Sequence, residues 1–150
     1  MNPYQLLKED HKKVKNLFKE YERAGEKAYK TKLQIAREVF HELDVHAAVE
    51  EEVFYPEVKA KADAEGRKLV AEGYEEHHVV KQLISELQQL KPEDERFDAK
   101  FKVLKENVEH HIEEEEKELF PEAKEALADE GAEVADRIER KKRALKQTLI

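Results

Sequence analysis

Two copies of one pattern, His-x-x-x-Glu followed six residues later by Pro, stand 65 residues apart in the chain. The first is His46-Ala47-Ala48-Val49-Glu50 running on to Phe54-Tyr55-Pro56, and the second is His111-Ile112-Glu113-Glu114-Glu115 running on to Leu119-Phe120-Pro121. Residues four apart on a helix share a face, roughly 40° apart around the axis and about 6 Å along it. Each copy therefore aims an imidazole and a carboxylate at one point, and two such pairs facing each other would build a metal site. With no cysteine in the chain, thiolate ligation is excluded and only N and O donors remain.

The elements that must position these pairs read as helices. The 150 residues are 43% charged and 39% hydrophobic with only 4 Gly and 4 Pro, a balance that favours long helices over strands. Asn2-Pro3 reads as the start of a first helix running to about Gly25. Thr31 and Gln34 resemble a capping box opening a second, expected to run to about Gly66 with a kink at Pro56. A third follows to about Leu90, where Lys91-Pro92-Glu93-Asp94 breaks it. The fourth spans roughly Glu95 to Asp129, with Pro121 in the place of Pro56, and beyond Gly131 a short basic helix covers about 132–148. The segment Glu9–Phe18 matches Glu75–Ile84, so the first and second helical hairpins are related in sequence. The expected fold is all-α, an up-down-up-down four-helix bundle with pseudo-twofold symmetry. Residues 1–130 form the bundle, and 131–150 are a C-terminal helix packed on it or extending it.

Core stripes at alternating spacings of four and three show which polar groups point inward. They run through Leu7, His11, Val14 and Phe18; through Val39, Leu43, His46, Glu50 and Val53; through Val70, Gly73, His77, Val80 and Ile84; and through Phe101, Leu104, Val108, His111 and Glu115. His11, His46, Glu50, His77, His111 and Glu115 are the strongly polar groups that this pattern forces inside. Two buried carboxylates with four imidazoles and no core Lys or Arg are hard to explain as packing, because a buried charge is costly unless compensated. A metal compensates it, and the donor set suits iron, manganese or zinc. Six side chains suit two ions, bridged by the carboxylates, with vacant positions for a small ligand. The Glu50–Glu52 and Glu113–Glu116 runs otherwise read as solvated faces, as does Arg140–Arg143. Off the stripes, His41, His78 and His110 read as surface or boundary residues. Tyr74 reads as packing near the site, and Phe54-Tyr55 and Leu119-Phe120 as closing the bundle below it.

With these residues in view, the chain resembles the hemerythrin-like, or HHE cation-binding, family over residues 4–128. The motifs that carry the resemblance are Glu9-Asp10-His11, His46-x-x-x-Glu50 with Phe-Tyr-Pro, Glu76-His77, and His111-x-x-x-Glu115 with Leu-Phe-Pro. The resemblance implies a non-haem centre of two iron ions. His11, His46, His77 and His111 would be its terminal ligands, Glu50 and Glu115 its bridging carboxylates, and an oxo or hydroxo group would complete the bridge. Oxygen-carrying members have a fifth histidine where this chain has Gly73, so the pattern is similar to the four-histidine, two-glutamate type. Water, Tyr74 or Glu76 is then the candidate to fill the open position. The expected partner is a small diatomic ligand or peroxide. Nucleic acid is not expected at a net charge of −8. With no signal peptide or membrane-length apolar run, a cytoplasmic protein is the default, monomeric or weakly dimeric. The competing functions are an enzyme decomposing peroxide or acting as an oxidase, a ferritin-like iron protein using Glu38-x-x-His41 and Glu75-x-x-His78, and a metal-free interaction module.

Overall fold

Pro56 and Pro121 shape the two helical rods that carry the paired motifs. Proline lacks an N–H, and its ring clashes with the carbonyl four residues back in a regular helix. The computed structural model, which describes residues 1–149 with side chains through Lys146, meets both demands with a wide turn. Helix α2 (Tyr29–Val49) passes through a π-helical turn at Glu50–Phe54 into α3 (Tyr55–Lys61), and the Tyr55 N–H reaches back five residues to the Glu50 carbonyl. In the second half, α5 (Glu95–Glu114) passes through a π turn at Glu115–Leu119 into α6 (Phe120–Leu127), with the Phe120 N–H on the Glu115 carbonyl. The kink expected at Pro56 thus takes the form of one widened turn that begins at each motif glutamate.

Helix α1 (Pro3–Arg23) opens with a reciprocal cap. The Asn2 side chain accepts from the Gln5 N–H at 2.8 Å, and the Gln5 side chain accepts from the Asn2 N–H at 3.2 Å. The capping box expected at Thr31 does not form. α2 starts two residues earlier, behind a turn in which the Ala28 N–H bonds the Gly25 carbonyl at 2.9 Å, and Thr31 falls inside the first helical turn. Nor does Gly66 end the second rod. The helix stops at Lys61, Ala62 is extended, and Asp63 caps α4 (Ala64–Leu87) by accepting from the Gly66 N–H at 3.0 Å. Gly66 lies in that first turn because a Cβ there would stand 2.6 Å from the Ala62 Cβ. α4 ends at Leu87, slightly before the expected Leu90, and Asp94 caps α5. Ala128, at φ 43°, turns the chain from α6 into a short 3₁₀ turn and α7 (Gly131–Leu149). Ile150, the last residue of the segment read as 131–150, lies outside the described residues.

The result is the expected four-helix bundle, with no strand among the described residues. α1 packs on α2 and α4 on α5 as two antiparallel hairpins. Two apolar clusters fill it. One contains Val14, Phe18, Leu43, Ile84, Phe101 and Val108; the other contains Leu7, Val49, Phe54, Tyr55, Val70 and Phe120, and is covered by Val134, Ala135 and Ile138 of α7. Along α1, α2 and α4 the histidine of the core stripe falls between residues of one cluster and residues of the other, and in the fourth rod His111 lies between Val108 of the first cluster and Leu119 of the second. The polar groups therefore form a layer across the middle. Among the described residues no helix is long and apolar enough to cross a membrane.

Candidate metal centre

All six residues read from the stripes are buried in this layer. They divide into two quartets whose ligating atoms lie within 4.8 Å of one another: His11, His46, Glu50 and Glu115; and Glu50, His77, His111 and Glu115. The two glutamates belong to both. Glu50 Oε1 stands 2.9 Å from His77 Nε2, 3.3 Å from His46 Nε2 and 3.6 Å from His111 Nε2. Glu115 Oε1 is 3.1 Å from His11 Nε2, and its Oε2 is 3.2 Å from His111 Nε2. Every imidazole turns its Nε2 to the centre.

Each Nδ1 points outward onto a carboxylate. His11 Nδ1 is 2.7 Å from Glu116, His46 Nδ1 is 3.0 Å from Asp10, His77 Nδ1 is 2.8 Å from Glu51 and His111 Nδ1 is 2.6 Å from Glu76. An ionised carboxylate only accepts, so each Nδ1 carries a hydrogen and the Nε2 lone pair is left for a metal. Glu51 and Glu116, read from the sequence as solvated faces, are therefore corrected to partners of the buried His77 and His11 rings. The signal was an acidic neighbour beside a candidate ligand in both halves of the repeat: Asp10-His11 with Glu76-His77, and Glu50-Glu51 with Glu115-Glu116. A side chain that follows a stripe position is rotated about 100° from it, which here aims it at the outer nitrogen of the neighbouring helix's imidazole.

Tyr55 is the second correction. Its side chain is fully buried, and its hydroxyl donates to Glu115 Oε2 at 2.6 Å while lying 3.3 Å from Glu50 Oε1 and 3.4 Å from His77 Nε2. The widened turn carries it inward, five residues after Glu50. Gly73 makes room, because a Cβ there would lie 2.6 Å from the Tyr55 hydroxyl oxygen. The space beside Gly73 is thus filled by the Tyr55 hydroxyl. Tyr74 instead donates to the Glu51 carbonyl at 3.2 Å. Exposed His78 and His110 and half-buried His41 stay outside both quartets. Buried polar groups beyond the six are also present: Asp10 in the site, Glu42, and Lys32, which pairs with Asp98 at 3.3 Å in the half of the bundle away from α7.

The electrostatics are those of buried imidazoles and carboxylates held against one another. Burial alone would lower the pKa of His46, but Glu50 and Asp10 outweigh it and raise the value to about 10. His111 is likewise raised despite burial, by Glu115, Glu50 and Glu76. Burial raises Glu50, but the imidazoles outweigh it and hold its carboxyl well below the usual range. Burial, with Glu115 and Glu50 facing it, pushes the Tyr55 phenol up. Among the described residues, two buried atoms, His46 Nε2 and Glu50 Oε2, make no hydrogen bond. In an otherwise satisfied core such atoms call for an unseen partner, and a cation between them would satisfy both.

A buried layer of imidazoles and carboxylates, each imidazole held from behind, across the middle of a four-helix bundle defines a metal-binding protein. The chain belongs to the hemerythrin HHE cation-binding domain family, whose model matches residues 2–123. It is similar to a solved hemerythrin HHE cation-binding domain-containing protein from Mycobacterium kansasii, a Rv2633c homologue. That structure has a TM-score of 0.77 and 26% identity, over 96% of this chain and 89% of that one. Among curated proteins it is 29% identical over 134 residues to a DNA nickase from Nostoc sp. and 27% identical over 135 residues to an uncharacterized hemerythrin-like protein from Schizosaccharomyces pombe. The matches cover 89% of this chain in both cases, but 36% and 66% of those relatives' lengths.

Proposed function

We propose that this chain holds a carboxylate-bridged pair of iron ions and binds or senses a small oxidant there: dioxygen, peroxide or nitric oxide. The observation that carries this reading is the sharing of Glu50 and Glu115 by two quartets, each with two imidazole Nε2 atoms of its own. One ion would use one quartet; two ions, with both glutamates between them, use all six residues. The donor set of four imidazoles and two carboxylates suits iron, with manganese or zinc as competitors. When bound, the pair supplies open coordination and one-electron chemistry.

The chain's own residues define what can reach it. A cavity of about 30 Å³ adjoins the imidazoles, lined by Val14, Leu43, Ala47, Val80, Ile84, Val108 and Ile112, with Asp44 and Lys81 also on its wall. A cavity must offer at least about 10–15 Å³ to hold one water, so this one has room for a small ligand beside the imidazoles. Tyr55 also favours an enzyme reading, peroxide decomposition or another oxidase reaction at the same centre. Its phenol, with a proton held on Glu115, is a buried redox-capable group against the cluster. The DNA-nicking activity named for the Nostoc relative has little support in a chain of net charge −8.

The deciding experiment is metal analysis of untagged protein from iron-supplied cells, followed by optical titration with dioxygen, peroxide and nitric oxide. About two irons per chain are expected, with new absorption on addition of ligand. Glu50→Ala and Glu115→Ala should each lose metal. One iron per chain would overturn the dinuclear reading, and no metal in a folded protein would overturn both. Oxygen released continuously from peroxide would select the enzyme.

A further inference from the structure

Helix α7 lies beyond the residues matched by the family model, which end at 123. It nonetheless reaches the metal centre. Val134, Ala135 and Ile138 are buried, and the helix lies along α1, α2 and the first π turn. With those residues facing in, three basic side chains fall on acids of the elements that carry the site. Arg137 bonds Glu57 of α3 at 2.6 Å, Lys141 pairs with Glu52 of the π turn at 3.1 Å, and Lys142 donates to Asp10 Oδ1.

The last contact differs from the other two. The other oxygen of Asp10, Oδ2, is the one on His46 Nδ1, at 3.0 Å. A carboxylate with one oxygen on an ammonium and the other on a ring N–H has one orientation; rotating it breaks a bond at each end. The Asp10 and Lys142 side chains keep only 8% and 19% of their surface in water, so neither contact is easily replaced by solvent. Lys142, Asp10 and His46 thus form a line, part-buried at Lys142 and buried from Asp10 inward, that ends at His46 Nε2. The other rings are held differently. Among the described residues no lysine or arginine pairs with Glu76 or Glu116, and the Lys81 that pairs with Glu51 is 53% exposed.

We propose that Lys142 is a positioning residue for the metal centre. Through Asp10 it fixes the His46 ring, and so sets how tightly the ion between His11 and His46 is kept, while the position between His77 and His111 is unaffected. Without Lys142, the buried Asp10 loses its countercharge and turns toward water. The His46 Nδ1–H then loses its acceptor, and the ring its orientation. Losing an outer partner of a ligand histidine typically weakens a metal about 10- to 100-fold. Lys142 acts one contact further out, so the low end of that range is expected.

This inference rests on the dinuclear reading, and one experiment separates the two. The full chain is loaded with ferrous iron under argon, its iron counted, and release followed after addition of excess ferrous chelator. In Lys142→Met one of two irons should leave about tenfold faster than in wild type, with the other unchanged. Lys142→Arg should restore the slow phase. Lys81→Met should leave the His46 ion alone. Arg137→Met cuts another α7 contact without touching Asp10 and should also leave it alone. Equal acceleration of both irons, acceleration by Arg137→Met as large as by Lys142→Met, or no acceleration overturns the proposal. If Lys142→Met does not fold, Lys142→Gln is read against the same controls. If wild type holds a single iron, the dinuclear reading fails, while faster loss of that iron in Lys142→Met and not in Arg137→Met still supports a positioning role.

Discussion

At the scale of single residues, the candidate centre depends on groups that stand one step behind the buried imidazoles. Glu51→Ala and Glu116→Ala should each lower metal affinity about 10- to 100-fold, because each frees an Nδ1–H and lets a ring turn. Glu113→Ala removes an exposed carboxylate whose partner is Lys117 and should change nothing; competition with a chelator would rank the three. Tyr55 and Gly73 form the other dependent pair. Gly73→Ala should destabilise the protein by about 1–3 kcal/mol, the usual cost of overpacking. In a Tyr55→Leu background that cost should largely vanish, since the ring that the new methyl meets is gone. Urea unfolding of the four proteins in that cycle measures it, and equal costs in both backgrounds would refute the steric account. The placement of the six buried polar groups was legible in the sequence, because an apolar stripe interrupted by His or Glu states its own exception. The inward turn of Tyr55 was not. Its position depends on helix geometry that departs from the period used to read the stripe.

Among the elements, the widened turns account for that failure. A regular helix repeats a face at three and four residues, yet Glu50 and Tyr55 both point inward at a spacing of five, and both are buried, as are Glu115 and Phe120. A proline six residues after each glutamate was the visible trace. It reads equally as a kink, and packing of Phe54, Tyr55 and Phe120 into the lower cluster selects the π turn. The α6–α7 corner carries a cost of its own, since Ala128 sits at φ 43°, where a Cβ is unfavourable. Ala128→Gly should stabilise the chain by about 1 kcal/mol, seen as a higher thermal midpoint. A lower midpoint would show that the corner tolerates Ala and gains nothing from glycine's freedom.

For the whole molecule, protons and metal compete for one layer. In metal-free protein the pKa of His46 is raised from 6.5 to about 10. Its contribution to stability is therefore complete below about pH 6.5 and lost as pH rises toward 10. Asp10 and Glu50 are shifted the other way, down from 3.8 and 4.5, so their contribution is present above those values and lost as pH falls. The metal-free protein should accordingly be most resistant to urea at about pH 5–6 and weaken toward pH 9. Metal binding requires neutral Nε2 atoms and releases those protons, so the rise in Tm on adding metal should grow from pH 5.5 to pH 8. Stability of metal-free protein that increases from pH 6 to pH 9 would show that the His46 imidazole is not held protonated.

Sequence alone determined the helices, their pairing into a repeated hairpin and the identity of the inward polar groups. All three follow from local periodicity, and a four-helix bundle leaves little freedom in where a stripe points. Tertiary structure decided which carboxylate meets which imidazole. The contacts of Glu116 with His11, Asp10 with His46 and Glu76 with His111 each join residues at least 35 positions apart. It also decided that Tyr55 fills the space left at Gly73, and that Lys142, 132 residues from Asp10, stands behind His46. The reason is physical: a stripe fixes the direction in which a side chain leaves its helix, while its partner depends on the rotation and height of the neighbouring helix. Those are set by how all the apolar faces pack at once.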